Sequence, residues 1–260
     1  MIDSHAHLGS CEPPPEALVA DARRVGVERI LTIGLDAASN REAVRIGREH
    51  PEVFVAVGHH PNSAEGFDGE AAALIEELAA DEVVRAIGET GLDYYRDRAS
   101  EEAQVRAFEA QIGIARRRGL PLVVHLRDSA GPGAGRAVAD AFELLAGEAD
   151  GLDVILHCFS ATPERAEEAA GRGWHVSFAG NVTYPRSEEL REAAALVPDR
   201  LLLVETDSPY LAPQPVRGRP NAPANVTHTA EVVAAARGVG YERLDAVVTE
   251  NAARLFRWSG

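Results

Sequence analysis

The chain has 260 residues, 45% of them hydrophobic, enough to bury the core of one large α/β domain. A formal charge of −15 argues against a general electrostatic grip on duplex DNA, which rests on Lys and Arg neutralising phosphates, but leaves room for a nucleic-acid enzyme with a few local arginines. No stretch is apolar for long enough to span a bilayer, the start Met1-Ile2-Asp3 is strand-like where a signal sequence would be basic then apolar, and Cys11 and Cys158 are too few for a disulfide framework. A cytoplasmic location is expected, with no membrane contact.

Eight apolar, β-branched runs read as strands: Ile2 to His7, Arg29 to Gly34, Val53 to His60, Val84 to Glu89, Leu120 to Leu126, Val154 to Ser160, His175 to Gly180 and Leu201 to Asp207. Helical spacing fills the intervals, as in Glu70 to Leu78, Glu101 to Arg118 and Pro163 to Arg172. Helix starts are marked at Ser39-Asn40, at Ser100 and at Thr162-Pro163-Glu164, where a capping oxygen precedes the first turn. Strand alternating with helix implies a parallel sheet, and eight units predict an α/β fold, a single-domain (β/α)8 TIM barrel over residues 1–260. Two loops would lie on its active face: the glycine-rich segment 131–135 and the proline-rich Pro209 to Pro223, which carries Arg217 and Arg219. Tyr241 to Trp258 reads as terminal helices sealing the outer wall.

In such a barrel the reacting groups sit where the strands end, so the strand-end residues belong together. Alternation sends His5 and His7 to one face of the first strand; Glu89, His125, His157 and Asp207 stand at the ends of four others. Four histidines and two carboxylates suffice for two divalent metal ions. Imidazole with carboxylate favours Zn, Mn or Fe, whereas Mg prefers more oxygen and water. The chain contains no lysine, so no carbamylated lysine can bridge two ions and Glu89 is the natural bridge. Two cations a few ångströms apart can lower the pKa of a water held between them and stabilise both the attacking and leaving oxygens of a phosphodiester.

Glu205 falls on the same face as Asp207, where a lone carboxylate is costly to bury. It could hydrogen-bond a ligand histidine or a metal water, or pair with an arginine such as Arg127. Tyr94 could stack on a base or pack against the rim. His50, His175 and His228 read as structural, and His59 points opposite to its neighbour His60.

Seven ordered motifs resemble the TatD family of metal-dependent deoxyribonucleases over essentially the whole chain: Ile2-Asp3-Ser4-His5-Ala6-His7-Leu8, Gly58-His59-His60-Pro61, residues 88–94 (Gly-Glu-Thr-Gly-Leu-Asp-Tyr), His125, His157-Cys158-Phe159-Ser160, residues 205–211 (Glu-Thr-Asp-Ser-Pro-Tyr-Leu) and residues 251–256 (Asn-Ala-Ala-Arg-Leu-Phe). The resemblance implies one metal held by His5, His7, Glu89 and Asp207, and a second by Glu89, His125 and His157. It implies that Asp207 takes a proton from the metal-bound water and that His60 contacts or polarises the phosphate. It also implies exonuclease action on single-stranded DNA, by a chain expected to be a monomer with no obligate protein partner. Where the family usually has Arg-Asn-Glu-Pro, this chain reads Arg217-Gly218-Arg219-Pro220-Asn221-Ala222-Pro223; only Arg217 and Asn221 carry over as substrate contacts. Related barrels hydrolyse aminoacyl-tRNA esters, amides or lactones, which keeps the same site with another substrate as the alternative, and a non-catalytic binding barrel as a third reading.

Overall fold

Strands that are apolar at nearly every position call for cover on both faces, and the fold supplies it with a ring of parallel strands inside a jacket of helices. The computed structural model describes residues 1–96, 98–128 and 135–258. Within them run β1 (Ile2–Ala6), α1 (Pro15–Arg24), β2 (Arg29–Ile33), α2 (Ala37–Glu49), β3 (Val53–Val57), α3 (Gly69–Leu78), β4 (Val84–Asp93), α4 (Glu101–Arg118), β5 (Leu122–Arg127) and α5 (Arg136–Glu148). The second half adds β6 (Val154–Leu156), α6 (Pro163–Gly171), β7 (His175–Phe178), α7 (Glu188–Leu196), β8 (Leu202–Val204), α8 (Val226–Ala236) and α9 (Tyr241–Phe256). The strands pair in sequence order, all parallel, which is the (β/α)8 barrel expected. No helix among the described residues is long and apolar enough to cross a membrane.

Strands β1 and β8 do not share a continuous ladder. They meet at the bridge Ala6–Ser208 and through Asp207 N–H to His5 O (2.9 Å) and His7 N–H to Ser208 O (2.7 Å). Side chains fasten the rest: Asp3 accepts from the Thr206 amide (2.9 Å) and hydroxyl (2.6 Å), and the Ser4 hydroxyl donates to Val204 O (2.9 Å).

Two register shifts matter for the site. One lies between Asp3 and Ala6 of β1 and spans His5; the other lies between Ile87 and Thr90 of β4 and spans Glu89. A bulge re-aims the side chain it carries. Gly88 permits the second, because at φ +145° a Cβ would stand 2.6 Å from Val123 O. A Cβ on Gly91 would likewise fall on the His125 carbonyl, so β4 and β5 approach closely beside two site residues.

Several boundaries differ from the sequence reading. β6 and β8 stop at Leu156 and Val204 because Cys158 (φ 45°) and Asp207 (φ 54°) turn the chain into the left-handed region just beyond. β4 runs four residues past Glu89. Helix α2 starts before Ser39-Asn40: Asp36 is the cap, accepting from Ser39 N–H (2.8 Å), while the Ser39 hydroxyl accepts from Asp36 N–H (3.0 Å). Ser100 caps α4 as expected, and Thr162 precedes α6 without a side-chain bond. One helix, α9, occupies the C-terminal segment where more than one was expected. Of the glycine-rich loop, residues 131–134 lie outside the described residues.

Candidate active site

The C-terminal ends of the strands converge on a cavity of about 710 Å³. Its floor holds His7, His60, Glu89, Asp93, His125, His157 and Asp207. Glu89 is 2% exposed and lies at the centre. Its two oxygens face different neighbours: Oε2 is 3.4 Å from His5 Nε2 and 3.7 Å from His7 Nε2, whereas Oε1 is 2.7 Å from His125 Nδ1 and 2.9 Å from His157 Nε2. Asp207 Oδ1 completes the first group at 3.4 Å from His7 and 3.8 Å from His5. Donor atoms sharing one ion at bonds of about 2.0–2.2 Å stand roughly 3–4 Å apart, so the residues present fit two adjacent cations. Three sets of mutually close donors emerge: His5, His7 and Asp207; His5, Glu89 and His157; and His60, Glu89 and His125.

Burial alone would raise the Glu89 carboxyl, yet the positive field of His157 and the hydrogen bonds from His125 and His157 hold it well below its usual range. Burial opposes charge on His157 too, and there Glu89 and Glu205 win, pushing its pKa well above the ordinary imidazole value. Each group's charged form is stabilised by the other, as in a cluster built to balance cations against carboxylates.

A second layer orients the imidazoles. His157 Nδ1 donates to Glu205 Oε1 (3.1 Å), which also accepts from Cys158 N–H (2.8 Å), so Glu205 takes the ligand-histidine role. The pairing with Arg127 is not made: that guanidinium lies 4.1 Å from the centre of the Tyr95 ring. His125 Nε2 stands 3.2 Å from Asp93 Oδ2, an oxygen that also accepts from Asn62 Nδ2 (3.1 Å). Burial works to raise Asp93, but His125 and the backbone N–H of Arg96 bring it down to about 2. His60 Nδ1 accepts from Asn62 N–H (3.0 Å), which leaves the proton of a neutral ring on Nε2. Although His60 falls within one candidate metal set, that tautomer makes its Nε2 a donor towards the cavity instead of a ligand. His59 turns away from the cavity, its Nε2 donating to Ser63 O (2.8 Å), although β3 has ended at Val57 and strand alternation does not reach it.

Three expected substrate contacts are not at the cavity. Tyr94 donates to Asp140 Oδ2 (3.1 Å) with Arg136 over its ring, so it packs against α5. Arg217 covers the Tyr184 ring at 3.9 Å. Asn221 is 2% exposed and spends its amide N–H groups on Thr206 O (2.9 Å) and Tyr210 O (2.8 Å), stapling the loop behind Asp207. What the sequence reading missed is Asp93, an acid inside a motif already singled out, and Tyr210, three residues after Asp207. Tyr210 lines the cavity, is 54% exposed and meets the His7 ring edge-on at 5.9 Å.

A parallel barrel whose strand ends gather histidines around a shared carboxylate defines a metal-dependent hydrolase. The profile of the family described as TatD related DNase matches residues 2–257, and the chain belongs to that family. It is 35% identical to a metal-dependent hydrolase of Bacillus subtilis, YabD, over 99% of each chain. It is also 35% identical to the 3′–5′ ssDNA/RNA exonuclease TatD of Dickeya dadantii, over 99% of this chain and 98% of that one. A TatD homologue from Escherichia coli superposes with a TM-score of 0.90 at 24% identity, covering 100% of this chain and 98% of the other, which is a likeness of fold.

Proposed function

We propose that the protein hydrolyses phosphodiester bonds of single-stranded DNA, with 3′–5′ exonuclease character, using two divalent ions that Glu89, Asp207 and the surrounding histidines would hold. The division of the Glu89 oxygens between two histidine groups at the floor of an open cavity carries this reading. His5, His7, Glu89 and Asp207 would hold one ion, and Glu89, His125 and His157 the other; imidazole-rich sets suit Zn, Mn or Fe. Bound there, the ions would supply Lewis acidity, acidifying a water and neutralising phosphate oxygens.

The chain's own groups do the rest. Burial would lift the Asp207 carboxyl, but the His7 hydrogen bond and the positive field of His5 keep it below its usual range. It is therefore ionised at neutral pH and able to accept the proton of the attacking water. Burial lowers His60, so its neutral ring can donate Nε2–H to a phosphate oxygen without first losing a charge. Glu205 and Asp93 each accept from one ring nitrogen, of His157 and His125 respectively, and so fix how each ring faces the cavity.

The test strips the protein of metal, restores Zn, Mn, Fe or Mg in turn, and follows a 5′-labelled single strand on a sequencing gel. Stepwise shortening from the 3′ end is expected. An intact strand with every metal, together with cleavage of a p-nitrophenyl ester or a misacylated tRNA, assigns the site to the alternative substrate class.

A further inference from the structure

The cavity's rim is polarised. On the side formed by the β4–α4 loop and the end of β5 it is lined by Arg96, Arg98 and Arg127. Many arginines elsewhere are spent in ion pairs, as in Arg45 with Glu42 and Glu49, Arg117 with Glu76, and Arg237 with Asp199. Around the rim the nearby acids are already engaged: Asp93 by His125 and by the Tyr95 and Arg96 amides, and Glu101 by Arg136. Among the described residues no carboxylate forms an ion pair with Arg96, Arg98 or Arg127. A chain of net charge −15 thus keeps, among the described residues, three guanidinium groups without a carboxylate partner at the mouth of a cavity floored by Glu89, Asp93 and Asp207. Arg127 is held there by the Tyr95 face, which leaves its N–H groups able to donate.

On the other side stands Tyr210. Its backbone is pinned by Tyr210 N–H to Asp207 O (2.8 Å) and by the Asn221 amide on its carbonyl (2.8 Å), yet its ring is more than half exposed. An aromatic ring exposed on a pinned backbone beside a reaction centre can serve as a stacking platform. Behind it the 209–213 loop packs on Gly180, where a Cβ would strike the Leu211 carbonyl. Arg96 and Arg98 are exposed.

We propose that a single strand crosses the mouth in one orientation, with its terminal base on Tyr210, the scissile phosphate over the histidine–carboxylate floor, and the phosphates beyond it held by Arg96, Arg98 and Arg127. This rests on the phosphodiesterase reading and adds its substrate track, which replaces the one expected from Arg217, Asn221 and Tyr94. Base identity is not read, because a ring face and guanidinium groups serve any base.

The test is fluorescence anisotropy of a labelled, cleavage-resistant phosphorothioate (dT)6 on the metal-loaded protein, titrated across KCl concentrations. Replacing all three arginines (R96Q, R98Q, R127Q) is expected to weaken binding at least about tenfold and to reduce the slope of log K against log salt by about 2, near 0.7 per lost phosphate contact. Arg127→Lys should keep the slope. Tyr210→Ala is expected to weaken binding about tenfold with the slope unchanged, since stacking releases no counterions. The proposal is overturned if the triple variant keeps its slope and affinity, or if Arg217→Gln and Arg219→Gln take the loss instead. Cleavage of an unmodified strand is read separately, so a protein that binds through this track and cuts nothing refutes the nuclease reading while leaving the track standing.

Discussion

Asp207 sits at φ 54° with its carboxylate against His7, a backbone state that Asp tolerates better than bulkier residues and that places the side chain over the cavity floor. Asp207→Asn keeps shape and conformation while removing the base, so turnover of a phosphodiester should fall by roughly 10²–10⁴-fold with the fold intact by circular dichroism. A loss under tenfold removes Asp207 from proton transfer. Asp93 and Glu205 touch no cavity centre directly but each fixes one ring, so Asp93→Ala and Glu205→Ala should each weaken metal binding about 10–100-fold in competition against a chelator. Unchanged affinity in both would mean the rings are held by packing alone. At this scale the histidines and Glu89 were legible because strand ends and alternation place them. Asn221 and Arg217 were not, since loop path decides whether a side chain faces a ligand or its own backbone, and nothing local encodes that path.

Elements show the same division. Helix α4 agrees with its expected bounds because both ends carry signals: the Ser100 cap, and Gly119 at φ 61° as a left-handed stop. The bulges in β1 and β4 were invisible, since pairing register is set by neighbouring strands. Strand β7 opens on His175, at the end of the barrel away from the cavity. Its ring nitrogens make no close hydrogen bond among the described residues beyond a weak approach to the Val154 backbone; Asp153 and Arg254 are the charged groups that act on it. Burial lowers its pKa from 6.5 to about 4. Below pH 6.5 the unfolded chain takes up a proton that the folded ring refuses, so this stabilisation is complete above 6.5 and is lost as pH falls towards 4, by up to about 3 kcal/mol. His175→Leu should therefore gain melting temperature over the parent, increasingly from pH 7 to pH 5. A gain independent of pH would show that folding leaves the pKa of the ring unshifted.

Over the whole molecule, ions that bind only the folded barrel add stability by mass action, about 2.7 kcal/mol at a hundredfold excess over Kd. Chelation should lower the melting temperature by roughly 5–10 °C in a chain of this size, read by calorimetry with and without EDTA. No shift would show that the histidine cluster is stable empty and holds no resident ion. The ring itself has seven strand ladders and one weak joint, β8 to β1, where a bridge, two main-chain bonds and a few side chains stand in for a ladder. His5 and His7 lie on one lip of that joint and Asp207 on the other. An ion held by all three would act as a clasp across the least-bonded line of the barrel, so local opening of that line and release of the ion become a single event. The lifetime of the catalytic centre and the lifetime of the closed ring are then one quantity.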